Sequence, residues 1–367
     1  MKSSQMHSFP DREKLELLAR EIIGIKNSLR LGNVSLTPLN YSEEMAKFFE
    51  NHSYNPQYIY KKQELPNIPE IIDNFKLRVD SLKIPEDLKQ HILEFLDNQI
   101  DLYHTKLSIG EDDFSEIVHK LYNWGTDRLD LLLANTPNVE FKMHIKHKIK
   151  DAQKIKERFE KALRKYNINS FTVKINSFAP HMIGVGYNTI VIGSEIKRFE
   201  CNVDRLVVHE IESHAIQTEN IKNSSTLLTE FTKYGNQNLY SEGLAIYNEI
   251  ITRKITPSAF EMYFHRIKAV RNIDKSFVEI YEILSQNLSP QRAFIMTYRV
   301  KRGMRDTSRP GGFPKDACYL LGYHEIENLR AEKYPRKLLY ATKSPILSNI
   351  LFKYDLIDTK NILVQRF

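Results

Sequence analysis

Only two cysteines occur in 367 residues, Cys201 and Cys318. They stand far apart with no CxxC partner, so neither a disulfide framework nor a cysteine-based zinc knuckle is supported. Long apolar runs are also missing. None approaches the roughly 18 residues that a membrane-spanning helix needs, and the opening MKSSQMHSFPDREKLELLAR passes from polar residues straight into an amphipathic pattern without the apolar centre of a signal peptide. These absences lead us to expect a soluble, cytoplasmic chain with reduced thiols and no membrane contact. What is present, 41% hydrophobic and 11% aromatic residues, is enough to bury a large core in one elaborate domain or two.

The net charge of +7 is uneven. Lys142 to Lys165 holds ten Lys/Arg against three Asp/Glu, a strip able to attract an acidic partner. Ile145, Ile149, Ala152, Phe159 and Leu163 recur through it at helical spacing, which reads first as an amphipathic helix with a solvated basic face over 142–165. No RNP-type, zinc-finger or helix-turn-helix pattern accompanies the charge, which argues against nucleic acid as a partner.

Residues 11 to about 134 read as mainly helical. EKLELLAREIIGIKNSL, PEIIDNFKLRVDSL, PEDLKQHILEFLDNQIDLYHTKL and DFSEIVHKLYN each carry apolar residues three or four apart after a polar or proline start. After Asn167 the period changes: Phe171, Val173 and Ile175 alternate, and HMIGVGYNTIVIGSE offers glycine-punctuated apolar runs suited to a hairpin or edge strand. The expected architecture is α+β and predominantly helical, with a small β-sheet. A helical N-terminal region, 1–135, leads into a catalytic region, 136–367, the two forming one continuous unit.

The segment RLVVHEIESHAIQTEN is apolar at Leu206, Val207, Val208, Ile211 and Ile216, which makes a buried helix, yet it carries His209, Glu210 and His214. Zinc peptidases commonly place two histidines one turn apart, as HExxH. Here the spacing is HExxxH. Residues five apart in an α-helix differ by about 140° around the axis, so the imidazoles cannot meet on one ion without help. A one-residue π-bulge, frequent at functional sites, would bring them nearly into line, and we expect one between His209 and His214. A catalytic zinc takes a third protein ligand and leaves a position to water. Glu242, in YSEGLAIYNEI, is the candidate; Leu244, Ile246 and Tyr247 give it a packed helix, and Gly243 would allow close approach to the first one. Glu249, on the same face by helical period, is expected to accept a hydrogen bond from a ligand histidine. Two buried histidines bonded to carbonyls could give the same string. The conjunction of a buried helix, an acid beside the first histidine and a second Glu-bearing helix favours the ligand reading.

HEIESH followed by SEGLA, then RVKRGMRDT from Arg299 and FPKDACYLLGY from Phe313, resembles the family of microtubule-associated tyrosine carboxypeptidases and their bacterial relatives, the flavohemoglobin-expression-modulating QEGLA-motif proteins. The likeness extends loosely through YSEEMAKFFE from Tyr41 and KLYNWGTDRLDLLL. Its specific parts, HExxxH, EGLA, RVxRG and KDxxYL, occur in the family's order. Ser241 stands where the family name carries Gln, and Glu212-Ser213 where many members have a small or hydroxyl pair; neither departure falls on a proposed ligand.

The resemblance implies a gluzincin-like metallopeptidase, one Zn2+ per chain held by His209, His214 and Glu242, and removal of a C-terminal tyrosine or phenylalanine from a peptide or protein. Glu210 then serves as general base toward zinc-activated water. A carboxypeptidase also needs a cation for the terminal carboxylate. Arg299, Arg302 and Lys315 are the cations of the two later motifs, and Tyr298 and Tyr319 are hydroxyls able to donate to a developing oxyanion. Each has a structural alternative, a capped carbonyl or an ion pair for the arginines and a core position for Tyr319. The strand around Gly184 to Ile192 either pairs with an extended peptide or is an ordinary internal strand. Two other functions stay open: a zinc aminopeptidase or dipeptidyl peptidase, which would need an acidic anchor, and a non-catalytic metal-stabilised binding protein with an acidic partner. An intact Glu210 speaks against the latter.

Overall fold

The computed structural model describes residues 9–28, 36–135, 139–141, 149–177 and 183–366. Among them the chain is chiefly helical with two small sheets, an α+β arrangement. The expected N-terminal helices form over Arg12–Ser28, Ile68–Asp80, Glu86–Leu107 and Phe114–His119, with Tyr41–Glu50 and Thr126–Ala134 between and after them. Their apolar faces do not close on themselves. Leu15, Ile72, Phe95 and Leu88 share one buried cluster with Leu338, Leu347 and Leu351 from the far end of the chain. No helix among the described residues is long and apolar enough to cross a membrane, and both cysteines are free.

The basic strip differs from the sequence expectation at its start. Lys142 to Lys148, with Ile145, lie outside the described residues. Ile149 is exposed on a short strand, β1 (Ile149–Lys150), and the helix begins only at Ala152. The reason is local: Asp151 has an extended backbone, and its carboxylate accepts from the Lys154 amide, capping the helix Ala152–Lys165. Ile155, Phe159 and Leu163 then face the core together with Ile211 and Ile216, and the cations face outward. Acids stand among them, with Arg158 paired to Asp204 at 2.7 Å and Lys165 to Glu212 at 3.1 Å.

Four further strands follow: β2 (Thr172–Asn176), β3 (Ile183–Val185), β4 (Thr189–Gly193) and β5 (Arg198–Phe199). β1 and β5 pair antiparallel. The three-stranded sheet has the order β2-β4-β3, with β4 parallel to β2 and antiparallel to β3. Val173, Ile190 and Ile192 point inward from it. Of the segment expected to be either internal or peptide-pairing, β4 is central and β3 lies at the sheet edge.

Helices Tyr234–Ile251 and Cys318–Ala331 approach most closely at two glycines. A Cβ on Gly243 would lie 2.1 Å from the Gly322 carbonyl carbon, and one on Gly322 would lie 2.0 Å from the Leu239 oxygen. The close approach anticipated for Gly243 is therefore to this later helix, not to the helix of the histidines. Because backbone, not a flexible side chain, fills the space, Gly243→Ala and Gly322→Ala should each destabilise the protein by about 1–3 kcal/mol or more despite alanine's better helix propensity. Urea denaturation checks this; unchanged or raised midpoints would refute the contact.

Candidate metal centre

The chain from Glu200 to Lys222 is a continuous helical rod, but its middle, Val207–Ala215, is π-helix. Ser213 reinforces the wider turn by donating from Oγ to the Val208 carbonyl five residues back at 2.9 Å. Ile211, Ala215 and Ile216 bury one side completely. The other side carries His209 and His214, whose rings lie edge to face with centroids 4.9 Å apart. The π-turn thus does what the five-residue spacing demanded.

Glu242 enters from the helix Tyr234–Ile251. Its Oε2 lies 3.3 Å from His209 Nε2 and 3.5 Å from His214 Nε2. One ligand atom from each of the three residues falls within 4.8 Å of the others. Glu242 Oε2 is buried and accepts no hydrogen bond of good geometry. Two imidazole nitrogens and a carboxylate oxygen converging on one point suit a divalent cation, and they are a donor set that zinc accepts while keeping a position for water. The site can hold a metal ion.

The surrounding hydrogen bonds aim both imidazoles. His209 Nδ1 contacts Glu249 Oε1 at 2.7 Å, and a carboxylate only accepts, so Nδ1 carries a proton and Nε2 is the nitrogen turned toward Glu242. Glu249 is fully buried and is itself held by Arg205 at 2.8 Å and Tyr263 at 3.3 Å. For His214 the relay is longer. Gln217 Nε2 donates to the Leu339 carbonyl at 3.0 Å, which turns its Oε1 toward Ser241. The Ser241 hydroxyl donates to that oxygen at 2.8 Å and accepts from His214 Nδ1 at 2.9 Å. Ser241, at the position where the family name carries Gln, therefore does touch a proposed ligand. Glu212 faces away, held by Tyr166 and Gln365.

The same carboxylates also favour a proton on the group, one that a bound cation would displace. Burial opposes charge on His209, but Glu242, Glu249 and Glu210 outweigh it and push the imidazole up to about 10. Burial also opposes the Glu242 carboxylate, yet His209 and His214 hold it well below the usual range. The group is built to share positive charge.

A cleft of about 700 Å³ opens on this group. His214, Ser241 and Glu242 form part of its wall, Val185, Gly186 and Tyr187 at the end of β3 another, and Tyr234, Lys26 and Lys343 also line it. Glu210 is half-buried on the π-turn, with no hydrogen-bond or ion-pair partner among the described residues. Its charge acts on both His209 and Arg205.

The later motifs assemble around Asp316, which is almost fully buried. Arg299 grips it with two nitrogens, Nη2 at 2.8 Å and Nε more closely. Arg302 reaches it at 3.5 Å while stacking on Phe313, and Arg266 at 4.0 Å. Burial opposes ionisation of Asp316, but Arg299 and Arg266 hold its carboxyl well below 3.8. Tyr298 donates to the Leu36 carbonyl at 3.2 Å and packs on Tyr41. Tyr319 stacks on Tyr263 with the Arg266 guanidinium 4.1 Å from its ring centre; burial, then the Glu242 carboxylate, push its phenol up to about 12. Lys315 is half-buried; burial lowers its pKa, but Tyr234, Tyr319 and Glu242 together raise it. Sequence reasoning missed Ser241, Gln217, Arg205, Tyr263, Arg266, Asp316 and Lys343. Asp316 and Ser241 had local signals, the KD pair inside a motif already marked and the departure from the QEGLA pattern.

Two measurements follow from this wiring. Ser241→Ala and Glu249→Gln should each lower metal affinity by about 10- to 100-fold, as loss of a ligand's hydrogen-bond partner does; chelator competition reads it, and unchanged affinity would remove the residue from the relay. Asp316 contributes stability that is complete above its ordinary value of 3.8 and is lost as the pH falls toward its lower folded value. Denaturation between pH 6 and pH 2 (roughly the range of carboxylate titration) should show a steeper loss for the wild type than for Asp316→Asn. That variant should already be about 3–5 kcal/mol less stable at neutral pH, because buried guanidiniums lose their acid.

A search of curated proteins gives no significant match. A family model described as microtubule-associated tyrosine carboxypeptidase matches residues 46–342, most of the chain, and takes in the π-turn, Glu242 and the Asp316 cluster. The chain therefore belongs to the microtubule-associated tyrosine carboxypeptidase family.

Proposed function

We propose that the protein is a zinc-dependent carboxypeptidase that removes a C-terminal tyrosine or phenylalanine, with His209, His214 and Glu242 as the ligands of one zinc ion. The convergence of two Nε2 atoms and a carboxylate oxygen across the π-turn carries this reading. It is supported by the family's activity and by the orphaned Glu242 oxygen. In this reading 1–135 and 136–367 work as one continuous, gluzincin-like unit in an intracellular setting, where both cysteines stay reduced.

Zinc bound there would supply a Lewis acid that brings its water's pKa near neutrality and polarises the scissile carbonyl. The residues do the rest. Glu210, next to His209 and without a hydrogen-bond or ion-pair partner among the described residues, accepts the proton from the attacking water and returns it to the departing amine. Tyr319 donates to the oxyanion from beside Glu242, its high pKa keeping the phenol protonated. The edge of β3 that no strand among the described residues covers, and whose end lines the cleft, pairs with the extended substrate backbone. Glu249 and Ser241 hold the imidazoles in the tautomer that presents Nε2.

Purified protein should carry one zinc per chain by elemental analysis, and His209→Ala, His214→Ala and Glu242→Ala should each lose it; a variant that keeps stoichiometric zinc would show its residue to be dispensable. Glu210→Gln should keep metal and fold while hydrolysis falls at least about a hundredfold, and near-normal turnover would end its role as base. Peptides ending in Tyr or Phe should lose one residue, amidation of that end should slow trimming about a hundredfold, and N-terminal acetylation should matter little. The opposite pattern, indifference to amidation with sensitivity to acetylation, would replace the carboxypeptidase with an aminopeptidase.

A further inference from the structure

A carboxypeptidase must neutralise its substrate's terminal carboxylate as it leaves water, and several of the protein's buried and half-buried cations are already engaged. Arg299 and Arg302 hold Asp316, and Arg205 holds Glu249. Lys26 stands 3.6 Å from Glu230, and Lys301 donates to three backbone carbonyls, of Ile273, Arg309 and Gly311. Among the described residues Lys315 has no such partner, but it is not part of the cleft wall.

Lys343 differs from all of these. It lines the same cleft as His214, Ser241 and Glu242, and among the described residues it has neither a hydrogen bond nor an ion pair. Its backbone is fixed on both sides. Thr342 Oγ1 donates to the Ser344 carbonyl at 2.7 Å and receives the Ser344 amide at 3.0 Å, while Ser344 Oγ caps the helix Pro345–Lys353 through the Leu347 amide. The Thr342 carbonyl also lies 3.4 Å from Gln217 Nε2, the amide that orients Ser241 and through it His214. The loop presenting this lysine is thus tied to the relay that aims a metal ligand. A half-buried ammonium on a hydrogen-bonded loop, facing the cleft and ion-paired among the described residues to neither of its acids, Glu230 and Glu242, is a receptor for an anion that arrives with the substrate.

We propose that Lys343 is the residue that binds the substrate's C-terminal carboxylate. The assignment rests on the carboxypeptidase reading, and it does not come from the motifs, since Lys343 lies one position past the matched span. Burial, with Lys26 and Lys315 adding repulsion against the pull of Glu242 and Glu230, pushes the lysine down to about 8. An ammonium in that condition gains from a carboxylate counter-charge.

The test uses the zinc-loaded full chain and an N-acetylated peptide with a neutral interior ending in Tyr, as free acid and as amide. Wild type should prefer the acid by about a hundredfold in kcat/KM, and in Lys343→Met this ratio should collapse toward one, with the loss mainly in KM; Lys343→Arg should recover part of it. Binding of the same two peptides to Glu210→Gln and to Glu210→Gln/Lys343→Met should show the same collapse without turnover. Lys343→Met should unfold at the same or a higher temperature, since it removes an unpaired cation, so a folding defect would not mimic the result. A wild-type ratio retained in Lys343→Met, or acid and amide falling together, overturns the assignment while leaving the carboxypeptidase intact; transfer of the effect to Lys315→Met would name the other lysine. If wild type neither trims nor prefers the free acid, the carboxypeptidase reading itself fails, and the Lys343 assignment with it.

Discussion

Everything in the candidate centre depends on two imidazoles five residues apart sharing one side of a helix. A regular α-helix would send them about 140° apart, and the π-turn Val207–Ala215 removes that angle. A π-turn gives up regular packing and hydrogen-bond geometry, so its surroundings must hold it in place. Here the buried contacts of Ile211, Ala215 and Ile216 against the helix Ala152–Lys165 do so from one side, and Ser213 does so from within. Asn248 donates to Ser213 Oγ at 2.8 Å, which couples the π-turn to the helix supplying Glu242. The distortion and the third ligand are therefore stabilised together.

Those parts of the site that follow a helical period or a motif were legible in the sequence. His209, Glu210, His214, Glu242 and Glu249 could all be marked because spacing along one chain determines which side chains share a face, and the π-turn followed from the misfit of HExxxH with 3.6 residues per turn. Most of the long helices were legible for the same reason. The start of the basic helix was misplaced because apolar spacing continued back to Ile145 while the cap at Asp151 interrupted it. The partners brought in by tertiary folding were not legible at all. Arg205 and Tyr263 meet Glu249 from different elements, and Gln217 reaches the Leu339 carbonyl. Ser241 was visible as a departure from the family pattern, but its contact with His214 depends on how two helices cross.

Gly243 shows how one residue can serve two neighbourhoods. It follows the ligand Glu242 directly, and its missing side chain lets the helix touch Gly322 backbone to backbone. The helix bearing Gly322 begins at Cys318, immediately after the short turn Pro314–Ala317 that carries Lys315 and Asp316. Trp124 fixes that turn from the N-terminal region by donating to the Pro314 carbonyl at 2.7 Å. The EGLA and KDxxYL motifs thus meet on one helix pair.

The distribution of charge follows from the same arrangement. In a low-dielectric interior an unpaired cation is costly, and the arginines nearest the centre meet that cost with acids, Arg205 with Glu249 and Arg299 with Asp316. Both acids already have structural work: Glu249 orients His209, and Asp316 gathers three guanidiniums. A substrate carboxylate competing for Arg299 would have to displace an acid that is covalently part of the protein and already desolvated, which leaves little binding energy for the substrate. Lys343 feels Glu242 and Glu230 across the cleft but, among the described residues, is ion-paired to neither. Its desolvation cost is met when the protein folds, and its charge-assisted hydrogen bonds remain for the substrate.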